Sequence, residues 1–115
     1  MIRVKRIYDP AEPDDGYRVL IDRLWPRGVS KSAAAFDLWL KEIAPSTPLR
    51  SWFAHDHAKW HEFQARYVEE LERNPEPVAR LLEAAKAGPL TLLYAARDEQ
   101  HNHAPVLRDY LQRKR

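Results

Sequence analysis

Leu90-Thr91-Leu92-Leu93-Tyr94-Ala95-Ala96 leaves almost no position for a solvent-facing side chain. A strand of this kind has to be covered on both faces, which places it in the middle of a sheet. Val19-Leu20-Ile21, inside residues 17–24, has the same character. The connection between the two runs far exceeds a hairpin, so the expectation is a pair of parallel strands joined by a right-handed crossover.

The connection reads as helical. A first pattern, after Ser30, places Phe36, Leu40 and Ile43 at helical spacing and stops at Pro45. A second carries Trp60, Phe63, Tyr67 and Leu71; a third starts near Asn74-Pro75 and carries Val78, Leu81, Leu82 and Ala85 before Gly88. Outside the two apolar runs, Ile2 to Tyr8 alternates as a strand near a sheet edge. A last helix runs from about Asn102, an N-cap with Pro105 tolerated in the first turn, to near the C-terminus. Gly16, Gly28 and Gly88 mark boundaries, and residues 9–16 and 44–50 read as linker-like. The expected fold class is therefore α/β, with residues 1–115 forming a single compact layered domain. Its sheet is short and mostly parallel, with about four helices packed on its faces.

Composition agrees with one domain. The chain has 115 residues, 44% hydrophobic and 31% charged, enough for one core and too few for two. No cysteine is present, which excludes disulfides, thiolate catalysis and thiolate metal sites and fits a reducing compartment, so a cytoplasmic location is expected. Neither a signal-like apolar N-terminus nor a membrane-spanning run occurs. The formal charge of +2 is a mild bias, with basic clusters confined to Arg3, Lys5 and Arg6 and to Arg113, Lys114 and Arg115.

In open α/β sheets, ligands bind beyond the carboxyl ends of parallel strands. Here those ends run into Asp22-Arg23-Leu24-Trp25-Pro26-Arg27-Gly28 and into Arg97-Asp98-Glu99-Gln100-His101-Asn102-His103. Alternation puts Asp22 on the side of Leu20 and Leu24, an apolar face on which a carboxylate needs a partner; Arg97 or Arg27 is expected. One reading is an ion pair that only stitches strand ends together. The other is an anion pocket. In it, Asp22 and His103 are the candidate catalytic groups, and Arg23, Trp25, Arg27, Arg97, Asp98 and Asn102 are the candidate substrate-binding residues, helped by the N-terminus of the last helix. His103 suits a general acid or base, with its pKa lowered by that helix end; its plain alternative is a surface histidine. Trp25 offers a stacking face to a base or sugar, although a packing wedge is the commoner role.

His57 and His61 lie four residues apart on one helical face, which is half of a zinc site. Without a third ligand they read as a solvated face behind the Asp56 N-cap, and no metal is expected. The letters His101-Asn102-His103 spell a nuclease signature that requires the three residues to be spread over a different fold, so they carry no such reading. Trp39, Trp52 and Trp60 are read as core.

Six ordered segments carry a resemblance: Arg6-Ile7-Tyr8-Asp9, residues 16–28, Asp37-Leu38-Trp39-Leu40-Lys41, Ala44-Pro45-Ser46-Thr47, Trp52-Phe53-Ala54-His55-Asp56 and residues 92–98. Together they resemble the YeaO-like family, a branch of a bacterial superfamily of unknown function, over nearly the whole chain. The resemblance implies an α/β fold and no established activity. The wider superfamily has Asp-x-Arg after one strand and Cys-His-Arg after another. The matching places here look like Asp22-Arg23 and Asn102-His103-Ala104, so cysteine-dependent chemistry is not implied.

Three functions compete. The favoured one is an enzyme or binding domain for a phosphorylated or nucleotide-like small molecule, with no cofactor. The second is a non-catalytic nucleic-acid-associated module, weakened by the small net charge and the absence of a helix-turn-helix pattern. The third is a structural or protein-interaction domain.

Overall fold

In the computed structural model, which describes residues 1–115, four strands form one sheet in the order β1-β4-β2-β3. These are β1 (Ile2–Arg6), β2 (Tyr17–Leu20), β3 (Leu38–Trp39) and β4 (Leu90–Tyr94). Every pairing is parallel. The two apolar runs are direct neighbours, with Tyr17 opposite Leu90 and Leu20 opposite Leu93. All of β4 is buried, as its lack of a polar side requires.

The helices are α1 (Thr47–Phe53), α2 (Trp60–Glu72), α3 (Pro75–Ala87) and α4 (His103–Lys114). Phe63, Tyr67 and Leu71 are the buried stripe of α2, one turn apart each time. Pro75 opens α3 where its missing N–H costs nothing. Asn102 caps α4, its side chain accepting the Ala104 N–H at 2.8 Å. No helix is long and apolar enough to cross a membrane.

Two expectations about elements need correction. The helix read through Phe36, Leu40 and Ile43 does not form: Leu38–Trp39 is the edge strand β3, and Lys41–Ile43 is a 3₁₀ turn. The three apolar residues serve different faces. Phe36 packs with Leu20 and Leu93, whereas Leu40 and Ile43 join the main core. The stretch 44–50 is no linker, because Ser46 accepts the Leu49 N–H at 3.2 Å and caps α1.

The helices also cover only one face of the sheet. The main core joins Ile2, Val19, Ile21, Leu90, Leu92 and Tyr94 to residues from all four helices. On the other face Leu20 and Leu93 meet Ile7, Val29, Phe36 and Trp39, none of them helical. Arg18 and Thr91 are buried on β2 and β4 opposite one another, beside the fully buried Asp15 from the loop that enters β2. Irregular chain therefore does the work of a second helical layer, and a buried ionic cluster replaces part of its apolar contact.

Candidate functional site

Four parallel strands send their carboxyl ends to one edge, where a cleft of about 970 Å³ opens. All eight candidate site residues line it, from the β2 end (Asp22, Arg23, Trp25, Arg27) and from the β4–α4 loop (Arg97, Asp98, Asn102, His103). What each does there differs from the sequence reading.

Asp22 is not paired with Arg97 or Arg27. Its carboxylate accepts the Ala95 N–H at 3.0 Å and stands 3.4 Å from Nε2 of His103. The reason is that β2 ends at Leu20, so strand alternation does not extend to Asp22, and Leu24 is 64% exposed. The main chain turns here, held by the Trp39 indole N–H, which donates to the Asp22 carbonyl at 2.6 Å. His103 Nε2 also lies 3.0 Å from the Ile21 carbonyl. A carbonyl only accepts, so this nitrogen carries the proton and Nδ1 of the neutral ring keeps the lone pair.

Burial dominates the electrostatics of this pair. It raises the Asp22 carboxyl above its ordinary value, against the pull of His103, the Ala95 N–H and Arg50. It lowers His103 below its ordinary value, with Asp22 and the Ile21 carbonyl only partly offsetting it. The two groups act oppositely on stability. A histidine lowered in the folded state costs stability as pH falls below 6.5, because the unfolded chain takes up the proton first. A raised carboxyl contributes most in acid and loses that contribution as pH rises from 3.8 through its folded value. The histidine contribution is felt between about pH 7 and about pH 5.5, the range that brackets the ordinary imidazole value of 6.5. In that window the urea midpoint should fall less for His103→Gln than for the wild type; equal falls would exclude a lowered His103.

The arginines divide into two sets. Arg6 donates to the carbonyls of Ala95 and Ala96 at 3.1 and 3.0 Å and lies over the Tyr8 ring. Arg23 donates to the carbonyls of Ala44 and Pro45 at 3.1 and 3.4 Å. Both tie strand ends to neighbouring chain. The side chains of Arg27, Arg50 and Arg97 are exposed on the cleft and make no hydrogen bond or ion pair with the protein. The lining thus holds five arginines and two aspartates, none of the arginines in an ion pair.

Trp25 is a wedge, packed edge-on against Phe36 and Trp39 with its indole N–H donated to the Val29 carbonyl at 2.6 Å. Asn102 is committed to structure. Besides capping α4 it donates to the Asp98 carbonyl at 2.8 Å, and it is 5% exposed. The α4 end is correspondingly a weak anion site, since Asn102 takes the Ala104 N–H and Pro105 has none. Asp98 Oδ1 accepts the N–H groups of Gln100 and His101, each at 3.0 Å, and these hold its carboxyl at about 2.

Sequence reasoning missed Arg6 and Arg50. Arg6 was recoverable, because β1 is parallel to β4 and its end must reach the same edge. Arg50 was not, because the residues that carry it were read as a linker.

The family model described as "Inactive DUF488-N3 subclade" matches residues 1–115. The chain belongs to this family. "Uncharacterized protein YeaO" of Escherichia coli (strain K12) is 50% identical over 110 residues, 96% of each chain. "Uncharacterized protein Rv3073c" of Mycobacterium tuberculosis (strain ATCC 25618 / H37Rv) is 39% identical over 110 residues, covering 96% of this chain and 92% of that protein. No solved structure matches the chain. Ala104, beside the Asn102 cap, is 0% exposed, so the first turn of α4 has no room for a longer side chain there.

Proposed function

We propose that the domain binds a phosphorylated or nucleotide-like small molecule in the arginine cleft. The observation that carries this reading is the trio Arg27, Arg50 and Arg97, which project into a concave site without a protein partner beside the carbonyl-bound Arg6 and Arg23. Guanidinium groups form paired hydrogen bonds to phosphate, and a cleft concentrates their field. Asp22 and His103 sit at the floor as a buried pair able to orient a ligand hydroxyl or move a proton. The family description as inactive and the absence of cysteine favour binding over turnover.

Calorimetry with inorganic phosphate, AMP and ADP tests this. The wild type should bind at least one of them at millimolar concentration or below. Arg27→Ala, Arg50→Ala and Arg97→Ala should each weaken binding by about 10-fold or more, the equivalent of one lost charge-assisted contact. No binding, or equal binding by all three variants, overturns the reading. Tighter binding to a random single-stranded oligonucleotide, weakening steeply with salt, would favour the nucleic-acid alternative instead.

A further inference from the structure

His57 finds its partners in the β4–α4 loop and not in His61. Its Nε2 lies 2.9 Å from Oδ2 of Asp98, and Nδ1 of His101 lies 3.0 Å from the same oxygen. The two imidazoles stack, with centroids 4.1 Å apart and planes at 22°. One ligating atom from each residue lies within 4.8 Å of the other two. His61, exposed on α2, takes no part.

We infer that His57, Asp98 and His101 form a binding site for a divalent first-row transition ion, held through Nε2, Oδ2 and Nδ1. Adjacent ligands on an octahedral ion with bonds of about 2.1 Å stand about 3.0 Å apart, and on tetrahedral zinc about 3.3 Å. The separations between the oxygen and each nitrogen already match the first case, and an opening of a few tenths of an ångström reaches the second. The donor set of two imidazoles and one carboxylate, without sulfur, suits zinc, cobalt or nickel.

Two features make the cluster more than a chance meeting of surface groups. Asp98 is oriented by its own loop, because Oδ1 is occupied by the N–H groups of Gln100 and His101, which leaves Oδ2 facing both rings. His101 in turn packs edge-on against Trp60 at 5.2 Å, so two of the three ligands are held before an ion arrives. With three protein ligands the ion retains open positions. Asp98 and His101 also line the arginine cleft, so those positions lie beside it. The metal site does not depend on the cleft having a ligand.

The test uses protein without an affinity tag, stripped with chelator and titrated with Zn²⁺ by calorimetry and with Co²⁺ by its visible absorption. The wild type should bind one ion per chain at micromolar concentration. His57→Ala, at an exposed position that does not endanger folding, and Asp98→Asn, which keeps the Oδ1 contacts, should each weaken binding by at least about 10-fold. His61→Ala should bind as the wild type does. The site is refuted if the wild type fails to bind either ion, if His57→Ala and Asp98→Asn bind unchanged, or if His61→Ala loses as much as His57→Ala.

Discussion

Asp15→Ala is expected to lower the unfolding free energy by about 3–5 kcal/mol, the cost of leaving a buried charge without its partner. Asp15 is fully buried, and its carboxylate takes hydrogen bonds from Lys5 Nζ at 3.0 and 3.2 Å, from the Glu12 N–H at 3.1 Å and from the Arg18 guanidinium. Its carbonyl accepts the Thr91 hydroxyl at 2.7 Å. Arg18 is itself buried, with only the Ala35 carbonyl as its other side-chain partner and with Nη2 unpartnered. Removal of the carboxylate therefore strands a guanidinium between β2 and the covering loops. Burial works against the charged form of Asp15, but the Glu12 N–H, Lys5 and Arg18 outweigh it and hold the carboxyl below its ordinary value. A depressed carboxyl contributes stability above its unfolded pKa of 3.8, and that contribution disappears as pH falls through the folded value. Urea unfolding at neutral pH should show the loss in both Asp15→Ala and Asp15→Asn. In acid the gap between wild type and variants should close. A change below about 1 kcal/mol at neutral pH would mean that the cluster relaxes around the missing charge.

Gly16→Ala, one residue on, should cost about 2–4 kcal/mol by a different mechanism. Gly16 has φ +67°, and a Cβ placed there would stand 2.2 Å from the Pro89 carbonyl oxygen and 2.7 Å from the Pro89 side chain. That oxygen cannot move away cheaply, because it accepts the Tyr17 N–H at 3.0 Å and starts the β2–β4 ladder. Gly28 provides the control. It also has positive φ, at +79°, but nothing lies within 4 Å of its Cβ position. Gly28→Ala should therefore cost only the backbone strain, about 1 kcal/mol. Thermal unfolding of the two variants side by side separates crowding from strain; equal losses would show that crowding at Gly16 contributes nothing.

The sequence alone determined the parts of this protein that depend on local pattern. Two runs without a polar side had to be central strands. The one-turn spacing of Phe63, Tyr67 and Leu71, the proline that opens α3 at Pro75 and the cap at Asn102 located three helices, because burial periodicity and helix-start signals act within a few residues. Parallel pairing followed from the long connection, and with it the edge where the cleft opens. Tertiary structure decided which groups meet. Phe36 and Leu40 look like one helical stripe until β3 pairs with β2 and sends them to opposite faces of the sheet. Asp15 reads as part of a linker-like loop, and only the approach of Lys5 and Arg18 from two separate strands offsets the cost of its burial. Asp22 exchanged the expected arginine for His103, a residue 81 positions away, because the strand stops two residues before it. His57 showed no partner in the sequence beyond His61 until the fold brought up Asp98, 41 positions on, together with His101. A polar side chain is satisfied by whatever arrives in space, and sequence spacing carries no record of that arrival.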